Sequence, residues 1–184
     1  TPIVENMPSG SAIRPGDILH MRNGKTIEVI NTDAEGRLIM ADALAFASES
    51  KPDIICDVAT LTGAAYVALG VEIGAVFSNN KVTLDSFLNS NNDGFENYHS
   101  LPLEQSYKSQ IKSSIADMKN SGGRFGGAIT AALLLEEFVD DLDWVHLDIA
   151  GPARSRSNNP IYPEGGTGFG VLGYFNFLTN EANS

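Results

Sequence analysis

The sequence contains one cysteine, few basic residues and no long apolar run, and each scarcity excludes a class of protein. Cys56 is the only cysteine among 184 residues, so the chain cannot form an intrachain disulfide, and a reducing compartment is its natural location. No segment approaches the ~18 consecutive apolar residues of a membrane span, and the N-terminus lacks the basic and then apolar pattern of a signal peptide. We therefore expect a soluble cytoplasmic protein with no membrane partner.

The scarcity of basic residues also limits the partners of the chain. The 12 Lys and Arg residues stand against 23 Asp and Glu residues, which gives a formal net charge of -11. Proteins that bind the phosphate backbone of nucleic acids need clustered Lys and Arg side chains. We therefore expect no nucleic-acid partner.

The composition is sufficient for a folded domain. With 42% hydrophobic residues, a chain of 184 residues can bury a sizeable core and is most simply one domain. The chain begins at Thr1 without an initiator Met, and residues 1 to 4 already have a strand-like pattern. From this we expect the chain to begin inside a larger domain.

Hydrophobic patterning predicts strands that alternate with helices. Residues 17 to 22 and 25 to 30 are expected to form a hairpin, because Asn23-Gly24 is a strong signal for a two-residue turn. The apolar run from 53 to 60 is typical of a strand covered on both faces in a mainly parallel sheet. Further strands are predicted at 74 to 78 and 144 to 150, and helices at 38 to 50, 62 to 69, 104 to 112, 128 to 139 and 171 to 180. The fold class is therefore α/β, with a layered sheet and helices on both faces.

The stretch from 31 to 38, Asn-Thr-Asp-Ala-Glu-Gly-Arg-Leu, is the strongest candidate for chemistry. Asp33, Glu35 and Arg37 occupy alternate positions, and in an extended backbone this spacing turns all three side chains to one side. Such a face could hold cations and an anion together. The alternative for an arbitrary match of this kind is a solvated polar loop that only caps the next helix.

Other segments offer weaker candidates. Ligands gather at the carboxyl ends of strands in α/β folds, and the segments 60 to 63 and 148 to 151 occupy such positions. The glycine-rich loop from 121 to 127 lacks a phosphate-binding pattern, so close helix packing is favoured over a nucleotide site. No serine lies in a GxSxG motif, and the three histidines are interpreted as core or surface residues. Cys56 is interpreted as core filler.

The stretch from 31 to 38 resembles the signature octapeptide of the leucyl (cytosol) aminopeptidase family. The segments 4 to 10, 14 to 17, 24 to 26, 41 to 44, 59 to 64 and 148 to 151 resemble further parts of that family's catalytic domain. The resemblance extends to about residue 175. It implies an incomplete catalytic domain of the phosphorylase/hydrolase-like type with a mixed sheet, release of N-terminal amino acids such as leucine from peptides, and often a homo-hexamer. It also implies two divalent cations, Mn²⁺, Zn²⁺ or Mg²⁺.

The resemblance assigns roles to individual residues. It implies that Asp33 binds one metal ion and that Glu35 bridges both. Arg37 resembles the basic residue that holds a bicarbonate ion, which acts as general base toward the water activated by the metals. The residues that resemble contacts to the peptide backbone and the bicarbonate are Thr60, Leu61 and Gly63. Ala150 lies in a segment that resembles part of the side-chain pocket.

The chain also departs from the family pattern. A lysine and two aspartates that complete the metal site, and a second lysine that assists at the carbonyl, belong in this family to sequence preceding Thr1. We therefore expect Asp33 and Glu35 to form half of a dinuclear site, and the missing upstream part of the catalytic domain to be a partner. A non-catalytic assembly or binding module with the same fold is the alternative.

Overall fold

The computed structural model describes residues 1–5, 7–92, 94–158 and 161–183. They form two compact units. Unit 1 consists of Thr1–Ile55 and Glu104–Leu142, and unit 2 consists of the segments from Cys56 to Leu103 and from Asp143 onward.

Nine strands and five α-helices follow one another within the described residues. The strands are β1 (Ile18–His20), β2 (Thr26–Glu28), β3 (Ile54–Ala59), β4 (Ile73–Ser78), β5 (Asn97–Ser100), β6 (Met118–Lys119), β7 (Asp143–Asp148), β8 (Arg154–Ser155) and β9 (Gly165–Gly166). The helices are α1 (Gly36–Ser48), α2 (Gly63–Leu69), α3 (Lys81–Ser90), α4 (Gly127–Glu136) and α5 (Val171–Glu181), and a 3₁₀ helix spans Gln105–Ile111.

The predicted hairpin is present at the start of unit 1. Strands β1 and β2 pair antiparallel, with Leu19 opposite Ile27, and β6 adds to β2 in parallel. The connection has three residues and not the two that were predicted. The amide of Met21 donates to the Lys25 carbonyl (2.8 Å), and Gly24 has a φ of 87°. Three-residue hairpin loops commonly end in a residue with the left-handed conformation, and Gly24 occupies that position here.

The core of unit 1 lies between helices. Helices α1 and α4 contact each other, and α1 buries Leu38, Ala41 and Leu44 at helical spacing. In α4 every residue from Ala131 to Leu135 is buried, as expected of a helix that is apolar on all sides.

Unit 2 contains a four-stranded mixed sheet with the order β3-β7-β4-β5. Strand β4 runs parallel to β5 and antiparallel to β7, with Ala75 opposite Asp148. Consecutive residues are buried in β4 and β7, and because neighbouring side chains point to opposite faces, both faces are covered. Helices α2 and α3 contact β4, and α3 also contacts α5. The predicted layered α/β fold is confirmed.

Several local predictions differ from the structure. Strand β3 lies at the edge of a mixed sheet and leaves Val58 45% exposed, so the predicted coverage on both faces in a mainly parallel sheet is wrong for this strand. The helix predicted at 104 to 112 is a 3₁₀ helix, and residues 1 to 5 form no strand. None of the described helices is long and apolar enough to cross a membrane.

Candidate functional site

The carboxylate-bearing stretch in unit 1 is a turn followed by a helix. The side chain of Asn31 accepts a hydrogen bond from the amide of Asp33 (3.0 Å), and its carbonyl accepts from Ala34 (3.2 Å). Glu35 has helical angles (φ -74°, ψ -33°), and its carbonyl accepts the amides of Leu38 and Ile39. The prediction of an extended backbone is therefore wrong, because helix α1 begins two residues before the expected start.

This geometry changes the relation among the three charged side chains. Side chains two residues apart on a helix are rotated by ~200° about its axis, so they point to nearly opposite sides. Asp33 is exposed, whereas Arg37 lies in the first turn of α1 and is only 9% exposed. The Glu35 atom Oε2 is buried and has no hydrogen-bond partner among the described residues. A buried carboxylate oxygen without a donor is costly unless it binds a cation, so its chemistry fits a divalent metal ion.

The turn before α1 is held by Asn120, which follows strand β6. Asn120 is fully buried, and its Oδ1 atom accepts the amides of Ile30 (2.9 Å) and Asn31 (3.2 Å). Its Nδ2 atom donates to the carbonyls of Asn31 (2.6 Å) and Ala34 (3.5 Å). Sequence reasoning missed Asn120, because a single asparagine at a predicted loop carries no signal of its own.

The acidic residues of unit 1 do not complete a metal site within the described part of the chain. No group of three or more His, Cys, Asp and Glu side chains that could hold a metal ion occurs among the described residues. Asp33 and Glu35 are therefore two candidate ligands.

In unit 2, the segment from Thr60 to Gly63 connects β3 to α2. The side chain of Thr62 caps α2 by accepting the amide of Ala65 (3.0 Å). Asp148, at the end of β7, accepts hydrogen bonds from the amides of Leu61 (3.1 Å) and Thr62 (3.3 Å) and from the Thr62 hydroxyl (2.6 Å). The Thr60–Gly63 segment is thus anchored to the end of a buried strand.

The same carboxylate also holds the second predicted segment of unit 2. Its Oδ1 atom accepts the amide of Ala150 (3.2 Å), so the structure joins Ala150 to Leu61 through Asp148. A Cβ atom at Gly151 would lie 2.0 Å from the carbonyl oxygen of Gly70, which shows how closely this backbone passes its neighbour. Sequence reasoning placed the two segments at strand ends but did not recognise Asp148 as their common acceptor.

The remaining candidates have structural roles. His146 is fully buried and contacts Asp57, whereas His20 and His99 are exposed, which confirms their interpretation as core and surface residues. A Cβ atom at Gly122 would lie 2.9 Å from the Thr130 side chain, which supports close helix packing as the role of the glycine-rich loop. Cys56 is half-buried in the edge strand β3, so it is not a fully buried core residue, and burial raises the pKa of its thiol to about 12.

Comparison with known proteins identifies the family. Residues 1–173 match the catalytic domain of the cytosol aminopeptidase family. The chain belongs to this family. Probable cytosol aminopeptidases from Prochlorococcus marinus subsp. pastoris and Syntrophotalea carbinolica are 50% and 52% identical to it over 178 and 180 residues. These alignments cover 96% and 98% of the chain but 36% of each relative, so the chain spans about a third of their length.

Several solved structures have the same fold as this chain. A mutant of tomato leucine aminopeptidase superposes with a TM-score of 0.90 at 44% identity, covering 96% of this chain and 34% of that one. The cytosol aminopeptidase from Coxiella burnetii superposes with a TM-score of 0.91 at 42% identity, and the match covers 97% of this chain and 39% of that one. The bottromycin maturation enzyme BotP in complex with Mn superposes with a TM-score of 0.92 at 39% identity, and the match covers 98% of this chain and 41% of that one.

Proposed function

We propose that residues 1–184 are part of the catalytic domain of a dinuclear metal-dependent aminopeptidase of the leucyl type. The observation that carries this proposal is the pair Asp33 and Glu35 within the family's octapeptide, with the Glu35 atom Oε2 buried and without a partner among the described residues. The reaction is the release of N-terminal amino acids from peptides.

The residues of unit 1 hold the ions. Asp33 would hold one cation and the carboxylate of Glu35 would be shared by two, since hard carboxylate oxygens suit Mn²⁺, Mg²⁺ and Zn²⁺. Cations held by these residues would supply Lewis-acid chemistry, lowering the pKa of a water molecule and polarising the scissile carbonyl. Mn²⁺ is favoured by the Mn complex of the related BotP. Further ligands come from outside the described residues, which hold no group of three or more suitable side chains.

Arg37 holds an anion. Its guanidinium lies in the first turn of α1 and is nearly buried. A planar guanidinium can hold bicarbonate through two parallel hydrogen bonds, and a bicarbonate held by Arg37 would supply a general base for the attacking water.

The segments of unit 2 bind the substrate. Thr60, Leu61 and Gly63 offer backbone groups to the peptide, and Ala150 lines the pocket for the N-terminal side chain. A strand end followed by a capped helix is a rigid support for such contacts. We further propose a cytoplasmic homo-hexamer, with the rest of the catalytic domain as the partner of this chain.

Peptidase assays of the complete polypeptide that contains this chain test the metal assignment. We expect the substitutions Asp33→Ala and Glu35→Ala each to lower kcat/KM for leucine p-nitroanilide in Mn²⁺ by at least ~100-fold, because each removes a ligand worth several kcal/mol. Asp53→Ala is the matched control for Asp33→Ala, since Asp53 and Asp33 are both exposed aspartates of unit 1. Activity that survives both ligand substitutions would exclude the metal assignment.

A non-catalytic binding or assembly module is the second candidate. It is favoured by the absence of a group of three or more metal-binding side chains in the part of the chain that the structure describes. Native mass spectrometry and metal analysis of the complete polypeptide separate the two functions. Two tightly bound metal ions per chain would exclude the inert module, whereas a metal-free, inactive polypeptide would support it.

A further inference from the structure

The carboxylate of Asp148 accepts four hydrogen bonds within unit 2. It is 1% exposed, and it accepts three backbone amides and one hydroxyl within 3.3 Å. A buried carboxylate is costly unless hydrogen bonds replace its lost water, and four donors supply that replacement. These donors come from two segments of the chain, one after β3 and one after β7, and the amide of Ile149 also donates to the carbonyl of Ala59 between them (2.8 Å).

The two carboxylate oxygens of Asp148 accept different hydrogen bonds. The Oδ1 atom accepts the amides of Leu61, Thr62 and Ala150. The Oδ2 atom accepts the hydroxyl of Thr62, whose oxygen in turn accepts the amide of Ala65 at the start of α2. Asp148 therefore sets the position of the Thr60–Gly63 segment, of Ala150 and of the first turn of α2 at once.

The hydrogen bonds also determine where the neighbouring carbonyl groups point. In a planar trans peptide the C=O and N–H groups point in opposite directions. Because the amides of Leu61 and Thr62 point at Asp148, the carbonyls of Thr60 and Leu61 point away from it. A backbone with outward carbonyls presents acceptors, and an extended peptide with a free amino terminus presents the matching N–H donors.

We propose that Asp148 is a positioning residue for peptide binding, which holds the Thr60–Gly63 segment and Ala150 in register so that their backbone groups receive the substrate. This inference rests on the proposed aminopeptidase function and deepens it. Asp148 does not touch the substrate. It acts through the backbone of the two segments, so its loss weakens substrate binding while the metal ligands stay intact.

A second aspartate on the same strand is a matched structural control. Asp143, at the other end of β7, accepts hydrogen bonds from Asn80 Nδ2 (2.9 Å) and Thr83 Oγ1 (3.0 Å) at the N-terminal end of α3. Its bonds reach neither the Thr60–Gly63 segment nor Ala150. If Asp148 had only a structural role, Asp148→Ala would lower stability as Asp143→Ala does and would leave KM unchanged.

The kinetic test uses the complete polypeptide loaded with Mn²⁺, with leucine p-nitroanilide and a leucyl tripeptide as substrates. We expect Asp148→Ala to raise KM ~10-fold or more with unchanged metal content, and Asp148→Asn to raise it less, because its amide oxygen can still accept the three amides. Asp143→Ala should leave KM within ~2-fold of the parent value. An unchanged KM in Asp148→Ala, or an equal rise in Asp143→Ala, overturns the proposal.

A second pair of variants covers the case in which Asp148→Ala does not fold. Thr62→Val removes the hydroxyl and should raise KM ~3-fold or more, and Thr62→Ser should restore it to within ~2-fold. Failure of Thr62→Ser to restore KM overturns the proposal.

Hydrogen exchange separates this inference from the proposed function. In Asp148→Ala we expect the amides of Leu61, Thr62 and Ala150 to exchange at least ~10-fold faster than in the parent, and in Asp143→Ala we expect no change at these amides. If the parent polypeptide hydrolyses no peptide, the proposed function fails, whereas unchanged exchange at these three amides overturns the role of Asp148 by itself.

Discussion

The Oδ1 atom of Asp57 lies 2.6 Å from Nδ1 of His146 in the interior of unit 2. The other oxygen of Asp57 accepts the indole N–H of Trp144 (2.6 Å), and the imidazole ring stacks against the rings of Phe77 and Trp144. Burial disfavours the charged imidazole, but the charge and hydrogen bond of Asp57 outweigh it and raise the pKa of His146. The pair thus links β3 to β7 through a buried contact that favours the protonated imidazole.

This contact predicts a pH-dependent stability. Because the pKa of His146 is raised in the folded state, its stabilising contribution is complete below the unfolded pKa near 6.5 and is lost as the pH rises through the folded pKa. We expect the difference in free energy of unfolding between the parent and Asp57→Asn to narrow with rising pH. Urea unfolding between pH 6 and 9 measures it. A difference that widens over this range would contradict the ionic pair.

Asn120 is expected to be necessary for the turn that carries Asp33. Replacing it with alanine leaves two amides and two carbonyls of residues 30 to 34 without their buried partner. We expect Asn120→Ala to lower the free energy of unfolding by ~2 to 4 kcal/mol and to weaken Mn²⁺ binding. Calorimetry measures both effects. Asn89→Ala, at an exposed position of α3, should change stability by less than ~0.5 kcal/mol.

Gly151 is expected to tolerate no side chain. A Cβ atom there would lie 2.0 Å from the backbone oxygen of Gly70, and backbone atoms cannot move aside as a flexible side chain can. We expect Gly151→Ala to cost ~3 kcal/mol of stability. Gly166→Ala is the control, because its Cβ would meet no atom within 4 Å. Thermal unfolding of both variants checks the prediction, and equal melting temperatures would refute it.

Cys56 is expected to be unreactive while the protein is folded. A pKa of about 12, caused first by burial and then by the charge of Asp57, leaves very little thiolate at pH 8. We expect labelling by a thiol-specific reagent to be ~100-fold or more slower in native protein than in urea. Rapid labelling of this half-buried thiol under native conditions would contradict its raised pKa. Absorbance of the released thiolate measures the rates.

The sequence predicted the elements well because their signals are local. Apolar residues at helical spacing predicted α1, and the apolar runs predicted β4 and β7, since each pattern depends on residues only a few positions apart. The errors also have local causes. The Asp33–Arg37 stretch was expected to be extended from its alternating charges, but the side chain of Asn31 and the first turn of α1 determine its backbone.

By itself, the sequence determined the fold class, the family and the octapeptide that carries Asp33 and Glu35, because these depend on residue identity and short-range order. Only the tertiary structure decided which distant groups hold the candidate segments. Asn120 contacts a loop 89 residues earlier in the chain, and Asp148 contacts Leu61 across 87 residues. Such hydrogen bonds depend on strand pairing and burial, which bring together residues whose separation in the sequence carries no signal.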